Sequence, residues 1–161
     1  CEKLEIAGLL HDLGKLRVPD EILDKPGRLD KRERKIINTH SYETFQILRN
    51  IRGFEEITRW AAYHHEEPDG SGYPFHLKAD AMPLEARILR IADIFQAMVQ
   101  TRPYRNGLSD VEVAAFMREL STAGRVDARI VDVLLAELPA ARHAACPKFA
   151  ALPDDAATGA Q

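Results

Sequence analysis

Six side chains carry most of the chemical potential of this sequence: His11 beside Asp12, His40, His64 beside His65, and Asp93. They fall at the ends or on the apolar faces of successive predicted helices. A carboxylate carried into a core must be paired or bound to a metal, because a buried bare charge is costly. Several imidazoles with one or two carboxylates and no thiolate suit iron, manganese or zinc. Asp12 has two oxygens and can bridge two cations while His11 holds one of them. Two cations about 3.5–4 Å apart clamp a phosphoryl group and activate water for in-line attack. Each residue alone has a plainer role. His40 could be a hydrogen-bonded core histidine, Asp12 a cap or ion-pair partner, and Asp93 a partner of Arg90. His76 and His143 fall in a loop and near the C-terminal end, and stay outside the set.

The elements that must position this set are read from apolar periodicity, which is helical throughout. Lys3–Leu13 is a first helix stopped by Gly14, and a short turn or helix follows at Pro19–Leu23 before a Pro26–Gly27 break. Asp30 and Glu33 form a capping-box pattern that opens a long helix to Asn50. Its buried stripe is predicted as Ile36, Ile37, His40, Thr44, Ile47, Leu48 and Ile51. A second stripe runs Phe54, Ile57, Ala61 and His64, and Glu67–Pro83 reads as a long surface loop. Leu84–Thr101 is apolar nearly all round, a central packed helix, with Pro103 just beyond it. Ser109 and Glu112 repeat the capping-box pattern ahead of helices Asp110–Ala123 and Ala128–Leu138. The chain beyond Pro139, rich in Ala, Pro and Asp, is predicted to be a frayed tail. No alternating strand and no internal repeat is visible. The class is all-α.

A chain of 161 residues and 18.1 kDa, 45% apolar, suits one globular domain with its own core. Lys and Arg number 22 against 25 Asp and Glu, a net charge of −3, which disfavours gripping a nucleic-acid polymer by bulk charge. No apolar run approaches a membrane span. Cys1 and Cys146 sit at opposite ends without metal-ligand spacing, which fits a reducing cytoplasm.

His11-Asp12 followed by Gly14-Lys15, with a later His-His pair and a later helical Asp, resembles the HD superfamily of metal-dependent phosphohydrolases. The stretch His64-His65-Glu66-Glu67-Pro68-Asp69-Gly70-Ser71-Gly72-Tyr73-Pro74 is similar to the signature of its HD-GYP members. Ile91-Ala92-Asp93-Ile94-Phe95 and Thr101-Arg102-Pro103-Tyr104-Arg105 resemble that family too, in the same order. The likeness covers about residues 4 to 138.

The resemblance implies a helical bundle with a metal site in its core. It also implies a bacterial phosphodiesterase that hydrolyses the second messenger cyclic di-GMP to linear pGpG or GMP. The HD-GYP domain would occupy residues 1–140 without the family's N-terminal helix or helices, and 141–161 would be a flexible tail. Two or three divalent ions, Fe or Mn ahead of Zn or Ni, would be held by His11, Asp12, His40, His64, His65 and Asp93. Asp12 and Lys15 would be catalytic, the ammonium lying one helical turn beyond His11. Gly72, Tyr73 and Pro74 would contact the ligand, with the tyrosine ring free to stack on guanine. Arg102 and Arg105 would offer forked donors to phosphate. Expected partners are the cyclic dinucleotide, a GGDEF-domain protein, and a sensory or receiver domain in the same polypeptide. Expected location is the cytoplasm, with no membrane contact and no nucleic-acid polymer. Gln96 stands where the family usually has Asp, and Glu67-Pro68 where it usually has Arg-Trp. A module that binds cyclic di-GMP without turnover and a hydrolase of other nucleotides are the alternatives.

Overall fold

The structure, a computed structural model, describes residues 2–101 and 106–146. Among them it is built from helices with one isolated bridge, Asp69 to Lys78, in the long loop. The all-α expectation holds.

Helix α1 spans Glu2–Leu10 and ends earlier than predicted. The chain turns at His11 and Asp12 and continues as a 3-10 segment, Leu13–Arg17. Gly14 explains the break. It presses so close to the following long helix that a Cβ would overlap the His40 carbonyl and lie 2.6 Å from the Thr44 nitrogen. Its N–H donates to Thr44 Oγ1 at 2.9 Å, and that hydroxyl donates to the His11 carbonyl at 3.0 Å. The chain therefore leaves the α path to dock there.

The short α2, Asp20–Leu23, precedes α3, Lys31–Asn38, and α4, His40–Leu48. The capping box of Asp30 and Glu33 forms as predicted. The single long helix does not, because Thr39 interrupts it. There the backbone N–H bonds the Ile36 carbonyl at 3.1 Å and the side-chain hydroxyl bonds the same carbonyl at 2.7 Å, tightening the turn. His40, Ser41, Thr44 and Leu48 are buried, whereas Ile51, expected on the stripe, is exposed.

Helix α5 spans Glu55–Ala62 and α6 spans Leu84–Val99, two residues short of the expected end. Helix α6 joins two apolar clusters. Leu89 packs with Ala7, Leu48, Ile57, Trp60 and Ala61, while Ile91, Phe95, Met98 and Val99 pack against α7, Asp110–Thr122, and α8, Ala128–Ala136. Ser109 and Glu112 cap α7 reciprocally, as their spacing requires.

The C-terminal expectation needs correction. A ninth helix, α9, runs Leu138–Ala145, so the boundary expected at residue 140 falls inside it. Pro139 opens this helix, since its missing N–H costs nothing in the first turn. Leu138 is buried in the second cluster, and Arg142 pairs with Asp110 at 2.6 Å. No described helix is long and apolar enough to cross a membrane.

Candidate metal centre

All six of the predicted His and Asp residues meet in one place. His11 and Asp12 come from the turn after α1, His40 from the first turn of α4, His64 and His65 from just after α5, and Asp93 from the middle of α6. Asp12 lies between the histidines, with Oδ2 3.4 Å from His11 Nε2 and Oδ1 3.4 Å from His40 Nε2. Asp93 Oδ1 is 3.8 Å from His11 Nε2. His40 and His64 approach Nε2 to Nε2 at 3.3 Å. Two triads have donor atoms close enough to share an ion: His11, Asp12 and His64, and His40, His64 and His65.

The orientation of the rings follows from the backbone. Nδ1 of His11 lies 2.6 Å from the Gly8 carbonyl, that of His40 2.7 Å from Ile37, and that of His64 2.6 Å from Ala61. Each is a carbonyl three residues back, an acceptor left over in a final helical turn. Donation from Nδ1 leaves Nε2 as a lone pair, and the three lone pairs converge on Asp12 and on one another. Lone pairs facing at 3.3 Å call for a shared cation, so this donor set fits a divalent metal.

Burial disfavours the charged form of His40, His64 and His65. It pushes His64 down to about 3 and His65 lower still, both helped by neighbouring histidines. His40 is lowered chiefly by burial, with its carbonyl contact and Asp12 opposing. Asp93 is raised by burial, which outweighs the nearby His11. For Asp12 burial acts upward too, but the hydrogen bond from Lys15, with His11 and the Lys15 charge close by, holds it below the usual value.

Neither the Arg90 partner weighed for Asp93 nor the helical turn expected to carry Lys15 is found. Arg90 does not pair with Asp93. It gives Nη2 to Glu67 Oε1 at 2.7 Å, and Arg125 adds Nε to Oε2 at 2.6 Å and Nη2 to Oε1 at 2.8 Å. Lys15 sits in the 3-10 segment rather than on a continuing α turn, with Nζ on Asp12 Oδ2 at 2.6 Å.

The long loop is tied down over this centre. Glu66 has no exposed surface, and its carboxylate accepts the N–H groups of Phe75 at 2.6 Å and Leu77 at 2.8 Å. Phe75 wedges among Tyr42, Phe45 and Tyr63, with ring centroids 5.3–6.2 Å away. Gly72 is buried where a Cβ would overlap the backbone of Glu66 and Glu67. Tyr73, joined to Pro74 by a cis peptide, lays its ring on His65 at 4.8 Å and 31°. One of its faces is thus already used by His65. Its phenol, raised to about 12 chiefly by burial, stays protonated.

Sequence reasoning assigned no role to Glu66, Glu67 or Thr44. The available signal was a polar residue on an apolar stripe for Thr44 and acids flanking the paired histidines for the others. Gln96 is exposed on α6. Arg102 and Arg105 lie outside the described residues.

The family model described as HD domain matches residues 1–130. The chain belongs to the HD domain family. The HD domain is similar, at 45% identity over 82% of the chain and 31% of the relative, to 3'3'-cGAMP-specific phosphodiesterase 1 of Vibrio cholerae. It is 38% identical over 82% of the chain to the cyclic di-GMP phosphodiesterase response regulator RpfG of Xanthomonas campestris, covering 35% of that protein. A cyclic di-GMP phosphodiesterase of Thermotoga maritima is 42% identical over 65% of the chain and 29% of its own length. The chain thus spans about a third of the length of these relatives. The family expected from the motifs is borne out, and with it the expectation of divalent metal binding.

Proposed function

We propose that this HD domain is a metal-dependent phosphodiesterase that hydrolyses cyclic di-GMP to linear pGpG or GMP. The observation that carries the reading is the convergence of imidazole Nε2 atoms and the Asp12 and Asp93 carboxylates beneath the Gly72-Tyr73-Pro74 loop. The names of the relatives, which act on cyclic di-GMP or 3'3'-cGAMP, support the substrate class.

His11, Asp12, His40, His64, His65 and Asp93 would hold two or three divalent ions, Fe or Mn ahead of Zn or Ni. Such ions polarise phosphoryl oxygens and lower the pKa of water. The protein supplies the rest. Carbonyls behind His11, His40 and His64 fix the lone pairs in place. Lys15, now on Asp12, offers an ammonium to a non-bridging phosphate oxygen or a proton to the leaving oxygen. Gly72, Tyr73 and Pro74 wall the ligand, and Arg102 and Arg105 are assigned to its phosphates. We place this activity in the cytoplasm, under a sensory or receiver input and opposite GGDEF-domain proteins.

The test is incubation of metal-loaded protein with cyclic di-GMP and chromatography of the products. Linear dinucleotide or GMP is expected, and Asp12→Ala removes bound metal and hydrolysis together. A metal-loaded, fully active Asp12→Ala protein overturns the assignment. Ligand bound but unchanged makes the domain a binding module, and turnover of other nucleotides alone makes it a different hydrolase.

A further inference from the structure

A cleft of about 260 Å³ opens beside the metal centre, between the loop and α7. His65 and Tyr73 form its inner wall, so it begins where the metal centre ends. Ile94, one residue past Asp93, and Leu120 line its apolar side. Phe116 completes that side and is 41% exposed, and no ring among the described residues stacks on it. Arg125 stands at the edge with its side chain 48% exposed.

The charged groups that border this cleft are already engaged with one another. Glu67 takes up both guanidinium groups that border it, Arg90 and Arg125. Nε and Nη2 of Arg125 are spent on Glu67, which leaves Nη1 as the donor for a neutral acceptor. An apolar slot with one aromatic platform and one edge donor suits a flat heterocycle. The volume lies below the roughly 300–1,000 Å³ of pockets that take drug-sized ligands, which suits a single ring system.

We propose that this cleft seats one guanine of the cyclic dinucleotide, with Phe116 as stacking platform and Arg125 as donor to the base edge. The inference rests on the phosphodiesterase reading and adds the residues that recognise the substrate outside its phosphates. Guanine is favoured because it offers two acceptors, O6 and N7, whereas adenine places an amino donor beside N7.

The test is calorimetric binding of cyclic di-GMP and cyclic di-AMP, with steady-state kinetics and elemental analysis on the same preparations. Phe116→Ala is expected to raise Kd and KM for cyclic di-GMP about tenfold with kcat within about twofold. Metal content and melting temperature are expected to hold, and Phe116→Tyr restores the wild-type KM. Cyclic di-AMP is expected to bind the wild type more weakly than cyclic di-GMP. An unchanged KM in Phe116→Ala, or a loss of metal and kcat along with it, overturns the subsite while leaving the phosphodiesterase reading intact. Equal affinities for the two dinucleotides overturn the guanine assignment. Wild-type protein that neither binds nor cleaves either dinucleotide overturns both.

Discussion

His40 and His64 face each other Nε2 to Nε2 across 3.3 Å, each with its Nδ1 already given to a carbonyl three residues back. Neither Nε2 carries a proton to share, so the contact brings two lone pairs together within a buried pocket. A cation relieves it, and the protein should be markedly more stable when loaded. A divalent metal at a hundred times its Kd adds about 2.7 kcal/mol. For a domain of this size that raises Tm by about 5–10 °C. Thermal unfolding of chelator-stripped protein with and without Mn(II) measures it. No shift in the wild type would remove the reason for the facing lone pairs.

Glu67 and Arg90 form a buried ion pair, the arginine 6% and the glutamate 7% exposed. Glu67→Gln strands the Arg90 charge in the interior, and a loss of about 3–5 kcal/mol in urea unfolding is expected. Arg125→Gln removes a half-exposed partner, so its expected cost is about 1 kcal/mol or less. Equal costs for the two variants would contradict this division.

Gly14 docks the 3-10 segment on α4, where a Cβ would overlap the His40 carbonyl. The overlap is with backbone, which cannot swing aside as a side chain can. Gly14→Ala is expected to cost about 1–3 kcal/mol or more and to lower metal content, because His11, Asp12 and His40 are set by that contact. Chemical denaturation and elemental analysis check both.

Asp127 accepts the Arg129 N–H at the start of α8 and pairs with Arg87 at 3.0 Å. Burial raises its carboxyl, but the Arg87 and Arg129 hydrogen bonds outweigh it and hold the pKa below the ordinary 3.8. A folded-state pKa below the unfolded value means the unfolded chain takes the proton first as pH falls. The contribution is therefore complete above the unfolded value and is lost as pH falls through the folded one. Asp127→Asn keeps an acceptor at the cap, so its stability deficit should be constant from pH 7 to about 5 and shrink below about 4. Urea midpoints of both proteins across that range measure it, and a deficit that grows on acidification would refute the sign.

Local features were readable in advance because they depend on neighbours in sequence. The two capping boxes at Asp30 and Ser109 need only a residue and its third successor. The ligand set was legible because imidazoles and carboxylates on apolar stripes are conspicuous, and the motif order named the family. Helix boundaries failed where distant chain intervened. α1 stops at Leu10 because Gly14 meets α4, and α9 exists because Leu138 finds the α6–α8 core.

The sequence by itself determined the helical class, the histidines and aspartates that cluster, and the loop beside them. Tertiary structure alone decided the pairing of Glu67 with Arg90 and Arg125, 23 and 58 residues away, and so the cleft beside the histidine cluster. It also decided that Lys15 rests on Asp12 and that His65 occupies one face of Tyr73. Periodicity specifies which side of a helix is buried. Which charges meet there depends on how separate helices pack, and no local pattern encodes that.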